Sequence, residues 1–173
     1  MSAADTSHVQ QPTSFEFTPE NLERAKKIIA KYPPGKQQSA VMPLLDLAQR
    51  QHDNWLPIAA MEYIAKMLDM APIRVREVAT FYTMYNLKPV GKYKLAICTN
   101  LPCALQGATA AAEHLKKKLG IGFGETTADG NFTLKEAECL GACGEAPVLL
   151  VNDRRMACAM SSDKLDKLIE ELK

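Results

Sequence analysis

The residues best suited to chemistry are five cysteines, all in the second half of the chain: Cys98, Cys103, Cys139, Cys143 and Cys158. The first four form two close pairs, C-x4-C in ICTNLPCALQGA and C-x3-C in AECLGACGEAP, with residues 104–138 between them. Each pair follows an apolar stretch and sits among Gly, Pro, Thr and Asn. That composition makes tight loops with inward-pointing backbone N–H groups. Two such loops can bring four thiolates to one centre, which suits zinc or an iron–sulfur cluster. The histidines build no mixed site, because His8, His52 and His114 stand far from both pairs in sequence. Structural zinc sites prefer C-x2-C, and [4Fe–4S] sites show a C-x2-C-x2-C run. The spacing here therefore favours [2Fe–2S], with Cys98 and Cys103 on one iron and Cys139 and Cys143 on the other. Zinc, disulfides and free thiols stay open as alternatives. Cys158, in MACAM beside Arg154 and Arg155, is expected to be a strand residue outside the ligand set.

No residue pattern points to bond chemistry in this chain. No cysteine has a histidine nearby in sequence to act as its base. Gly120, Gly122 and Gly124 give only G-x-G-x-G before a turn, which is not the dinucleotide-binding fingerprint. The expected catalytic set is empty.

The chain has 173 residues, 21 Lys plus Arg against 20 Asp plus Glu, and 47% hydrophobic residues. That is enough apolar content for a real core, in one domain or two small ones. The near-neutral charge gives no electrostatic case for nucleic acid. The most apolar stretch, Ala146 to Val151, is of strand length and far too short to span a bilayer. The start, MSAADTSHVQQPTS, has neither a basic n-region nor an apolar h-region. A cytoplasmic location is expected.

The elements that would position the cysteines follow from periodicity. Residues 1–17 read as a disordered leader. Residues 18–80 read as a small helical bundle, opened by Thr18 as N-cap, Pro19 and Glu20. Ser39 is expected to cap a second helix, and Pro57 and Pro72 to open a third and a fourth. Residues 81–91, FYTMYNLKPVG, read as a connector. Residues 92–173 read as an α/β domain: the strand YKLAIC, one helix over 103–119 closed by Gly120, and the strand FTLKEAE. Two short strands joined at Asn152-Asp153 follow, then a helix capped by Ser161 or Ser162. A further strand at 123–127 stays open. Both cysteine loops then follow strand ends, where α/β sheets gather their sites.

Over residues 18–172 the chain resembles the 24 kDa-type subunit of NADH:quinone oxidoreductase, respiratory complex I. The likeness rests on FYTMYNLKPVGKY, CTNLPCALQG and ECLGACGEAPVLLVND. Similar modules occur in NAD-linked hydrogenases and formate dehydrogenases. The resemblance implies a small helical bundle followed by a thioredoxin-like [2Fe–2S] ferredoxin domain, with Cys98, Cys103, Cys139 and Cys143 as cluster ligands. It implies electron exchange with FMN in a partner flavoprotein subunit, which binds NADH and carries a [4Fe–4S] cluster, and a further iron–sulfur subunit beside it. The chain itself would carry electrons and would not hold the NADH site. Its place would be the peripheral arm on the cytoplasmic side of a bacterial inner membrane. A stand-alone thioredoxin-like ferredoxin and a zinc-stabilised module are the other readings. Arg154, Arg155 and Glu145 depart from the family pattern, and they bear on partner docking and redox poise.

Overall fold

The computed structural model describes residues 9–173, so the expected leader before residue 9 lies outside the described residues. The chain divides into two compact units, one ending at Pro89 and the other beginning at Val90.

The first unit holds four helices: α1 (Pro19–Ile29), α2 (Val41–Gln51), α3 (Ile58–Met67) and α4 (Pro72–Phe81). The Thr18 hydroxyl accepts from the Asn21 N–H at 3.3 Å, and Pro19 takes the first helical position. Both are what a helix start needs, because the first turn has N–H groups without intrahelical partners. Gln51 of α2 fastens this start. Its Oε1 accepts from the Thr18 N–H at 3.0 Å and from Asn21 Nδ2 at 2.9 Å, and its Nε2 donates to the Glu16 carbonyl at 2.8 Å. Phe15 and Phe17, read from sequence as leader, are buried and meet Tyr63 edge-on at 5.8 and 5.6 Å. Leu44, Leu45, Ala48, Ile64, Ala65 and Val75 fill the core between the helices. Each fully buried Leu or Ile contributes about 2 kcal/mol.

Two local expectations differ. Ser39 does not cap α2; a 3₁₀ turn over Gln37–Ala40 runs straight into it, and Ala40 stands at the cap with no side-chain bond. Within the expected connector, Tyr85 and Asn86 are buried in the first unit. The Asn86 N–H donates to Gln49 Oε1 at 2.7 Å, and its side-chain amide donates to the Asn54 carbonyl at 2.7 Å.

The second unit runs β1 (Tyr93–Cys98), α5 (Leu101–Leu105), α6 (Ala108–Leu119), β2 (Phe132–Ala137), β3 (Leu149–Val151), β4 (Arg155–Ala157) and α7 (Ser162–Leu172). The strand order is β2-β1-β3-β4. β1 and β2 are parallel, whereas β1–β3 and β3–β4 are antiparallel. A helical unit followed by an α/β sheet unit is the architecture expected from sequence. The single helix expected over 103–119 is two, because Gly107 has φ 95°, which no α-helix interior accommodates. At 123–127 there is no full strand, only a bridge between Thr126 and Thr133. No helix among the described residues is long and apolar enough to cross a membrane.

Strand alternation separates the two sheet faces. Leu95, Ile97, Phe132, Leu134, Leu149 and Val151 pack with Ala111, Ala112 and Leu115 of α6 and Leu165, Leu168 and Ile169 of α7. His114 Nε2 and Asp166 Oδ1, 2.8 Å apart, join these two helices, with Lys118 at 3.3 Å. Lys94 points the other way and is 1% exposed. It forms an ion pair with Asp153 in the β3–β4 turn. Asn152 and Asp153 both have positive φ, as a two-residue hairpin turn requires. The Asn152 side chain accepts from the Lys94 N–H at 2.7 Å and donates to the Lys92 carbonyl at 3.0 Å, and its own N–H donates to the Lys94 carbonyl at 2.9 Å, so the turn is tied to the start of β1.

Two outcomes follow for stability. Asp153→Asn keeps a residue that tolerates positive φ and removes only the charge. It should lower the stability of the second unit by roughly 3 kcal/mol in urea titration, because a buried ammonium loses a carboxylate partner. The Asp166 carboxyl is held below its ordinary range, first by the hydrogen bond to His114 and then by Lys118. Its contribution is therefore complete above the unfolded aspartate value of about 4, and is lost as pH falls through the lower folded value. The difference in urea midpoint between parent and Asp166→Asn should be present at neutral pH and vanish in acid below that window.

Candidate functional site

Parallel pairing builds the site. Cys98, the last residue of β1, lies opposite Ala137, the last residue of β2. The chain thus leaves both strands at one end of the sheet, and the two cysteine loops emerge side by side. Thr99 pins the first loop to the second strand: its N–H donates to the Ala137 carbonyl at 3.1 Å and its hydroxyl to Glu136 Oε1 at 2.7 Å. Asn100 then caps α5 through a 2.7 Å bond from the Leu101 N–H. This short helix turns Cys103 inward.

Cys98 and Cys103 are buried, each 1% exposed, among Ala108 and Val148. The Cys98 thiol donates to the Glu138 carbonyl at 3.6 Å, which reaches from the first loop to the second. The Cys103 thiol is pushed up to about 11, first by burial, then by its hydrogen bond with Cys98, and then by the neighbouring sulfurs of Cys98, Cys143 and Cys139. Cys139 and Cys143 are exposed. They flank Gly141, whose φ of 72° turns the loop; a side chain there would meet nothing within 4 Å. The glycine serves the backbone turn rather than a close approach. A 3₁₀ turn over Cys143–Glu145 closes the loop, with the Glu145 N–H donating to the Ala142 carbonyl at 3.0 Å.

The structure thus gathers all four expected cysteines at one end of the sheet, but it corrects the cofactor. Among the described residues, no group of three or more His, Cys, Asp or Glu side chains is placed to hold a metal ion. The expected [2Fe–2S] cluster, and with it the iron–sulfur and metal-binding assignment, does not fit this arrangement. Cys98 and Cys103 face inward as a hydrogen-bonded pair, and Cys139 and Cys143 face solvent. What stands here is a buried thiol pair beside an exposed one.

Cys158 was expected in a strand, but β4 ends one residue before it. It follows the last residue of β4 and packs against Cys98, Cys103, Ala108 and Val148. Its thiol is hydrogen-bonded to Glu145, and that bond, then burial, raises it above the ordinary cysteine value. Hairpin register carried the signal: Leu149 pairs with Ala157, so position 158 falls beside 148, a member of the same cluster. Arg155 is engaged within the chain, forked onto Glu171 of α7 at 2.6 and 3.1 Å.

Exposure orders the reactivity of these thiols. In metal-free chain at pH 8, maleimide should label Cys139 and Cys143 first. Cys98 and Cys103 should react about a hundredfold more slowly, until denaturant releases them. Peptide mapping of the labelled chain checks the order.

The family described as thioredoxin-like [2Fe–2S] ferredoxin matches residues 25–173. An NADH-quinone oxidoreductase subunit of Rickettsia conorii is 52% identical over 160 residues, covering 92% of this chain and 95% of that protein. "NADH dehydrogenase [ubiquinone] flavoprotein 2, mitochondrial" of Dictyostelium discoideum is 47% identical over 149 residues, covering 86% of this chain and 60% of that protein. Among solved structures, the air-oxidised NAD+-reducing [NiFe]-hydrogenase superposes with a TM-score of 0.63 at 24% identity, over 74% of this chain and 22% of that chain. That last likeness is one of fold. A family match over most of the chain, joined to half-identity along nearly the whole of a relative, shows that this chain belongs to the thioredoxin-like [2Fe–2S] ferredoxin family.

Proposed function

We propose that this chain is a non-catalytic, electron-transfer subunit of an NADH-oxidising assembly of the NADH-quinone oxidoreductase kind. In this reading it stands beside a flavoprotein subunit that binds NADH and FMN and carries a [4Fe–4S] cluster, and beside a further iron–sulfur subunit. The assembly is peripheral to a membrane, and among the described residues no helix of this chain is long and apolar enough to cross one. The observation that carries the reading is the side-by-side exit of the two cysteine loops from parallel β1 and β2. It occurs in a chain that matches NADH-quinone oxidoreductase subunits of two Rickettsia species along nearly their full length. The four-cysteine end is the functional end of the chain, with Cys98 and Cys103 seated in the sheet end and Cys139 and Cys143 presented outward.

The helical first unit supports a subunit rather than a carrier. It has its own core, built from α1 to α4, and it holds no histidine or carboxylate group placed for a metal among the described residues. A carrier working alone has no use for such a unit, whereas a subunit gains surface from it.

Purification through a tag on this chain from its own host tests the reading. The tagged chain should bring down a flavin-containing assembly that oxidises NADH, and the isolated chain should oxidise none. A chain that purifies with no flavoprotein sinks the proposal.

A further inference from the structure

The sheet face turned away from α6 and α7 carries two lysines that the proposed function does not use. Lys94 of β1 and Lys135 of β2 point to this face, because Leu95, Phe132 and Leu134 take the helix side. The register sets Lys94 opposite Thr133 and Ala96 opposite Lys135, so the two lysines are diagonal neighbours on adjacent parallel strands. Leu150 of β3 pairs with Ala96, and Met156 of β4 pairs with Leu150, which continues the same face. The side chains set around the two ammonium groups, Ala96, Thr133, Leu150 and Met156, are uncharged.

The two lysines are not equivalent. Lys94 is 1% exposed and ion-paired with Asp153. Its backbone is fixed by Asn152 of the same turn, through its N–H at 2.7 Å and its carbonyl at 2.9 Å. Lys135 is half-buried, which leaves part of its side chain open to solvent. Burial first, and then the Lys94 ammonium, push it below the ordinary lysine value, while Asp153 acts the other way. That carboxylate is committed to Lys94. A partly desolvated amine beside a second, fixed cation gives up its proton more readily, and the neutral amine is the nucleophile.

We propose that Lys135 is a site of covalent acylation, its amine attacking an activated acyl group carried as an acyl phosphate or an acyl thioester. The Nζ lone pair forms a C–N bond to the acyl carbon. The bond from that carbon to the phosphate oxygen or thioester sulfur breaks, and phosphate or thiolate leaves with the electron pair. The amine proton passes to solvent and a neutral amide remains, with nothing oxidised or reduced. Lys94 does not touch the acyl group and acts only through its charge. Acylation takes one of two like charges off the face and leaves the Lys94–Asp153 pair in place. The site uses none of the cysteines and does not depend on the proposed assembly.

The test incubates the full chain at constant pH with acetyl phosphate in one arm and acetyl-coenzyme A in the other, and follows each lysine by peptide mass mapping. In at least one arm Lys135 should be acetylated at least about threefold faster than the exposed Lys31 and Lys117. The reactive arm identifies the acyl carrier. Two variants then separate activation by charge from access. Lys94→Met removes the neighbouring cation and leaves Asp153 to hold the proton, so Lys135 should slow about twofold or more. Asp153→Asn removes the opposing carboxylate, so Lys135 should react faster than in the parent. Loosening of the sheet would instead speed Lys135 in both variants. Cooperative melting and parental rates at Lys31 and Lys117 show that the variants fold. Where Asp153→Asn does not fold, the parent chain and Lys94→Met decide. The site is overturned if Lys135 of the parent reacts no faster than Lys31 and Lys117 in either arm. It is equally overturned if Lys94→Met leaves the Lys135 rate unchanged or raises it, or if folded Asp153→Asn does not raise it.

Discussion

The side-by-side pairing of β1 and β2 is the constraint on which the second unit depends. Parallel neighbours cannot be joined by a hairpin and need a long crossover. The chain supplies it with α5, α6 and the turns of residues 120–131. In return, both strands end at the same edge of the sheet, at Cys98 and Ala137. Two pairs of cysteines separated by a whole crossover become neighbours without any loop having to reach for the other. A one-residue slip in this register would turn Leu95 and Ile97 away from α6 and α7, so the hydrophobic core and the cysteine end are held by the same alignment.

Burial then divides the gathered thiols. Cys98 is a strand residue and Cys103 rides the inward side of a short helix, so both lie in the apolar end of the sheet. Cys139 and Cys143 ride a loop bent by Gly141 and remain at the surface. The second loop is tied back at its far end: Glu145 is bonded to the Cys158 thiol, and its carbonyl accepts from the Ala159 N–H at 2.7 Å. All five cysteines thus belong to one neighbourhood, although only four share a motif.

Much of this was legible because the signals were local. Thr18, Pro19 and Glu20 open a helix through groups that lie within one turn, and apolar runs mark β1 and β2. The placement of both cysteine loops at strand ends came from the same reading. Other features were hidden for physical reasons. Gly107 sits in an Ala- and Leu-rich run where a glycine is tolerable, and only its backbone angle breaks the helix. Phe15 and Phe17 have no periodic neighbours, so their burial against Tyr63 depends on a helix that comes later in the chain. Short spacing between cysteines says that a loop is tight. It does not say where each sulfur points, and the inward turn of Cys98 and Cys103 was invisible for that reason.

The buried lysine sharpens the same point about locality. Lys94 and Cys98 share β1 but stand four residues apart, about 13 Å along a strand. Asp153 lies closer still to the ammonium and offsets its field. The hairpin end of the sheet is held by this ion pair, and its field reaches β2, where Lys135 is pushed down first by burial and then by Lys94, with Asp153 acting against it. The elevated Cys103 thiol at the opposite end follows from its own burial and its sulfur neighbours. One strand carries two different ends: a charged fastening that holds the hairpin, and a low-polarity pocket that keeps the Cys103 thiol protonated.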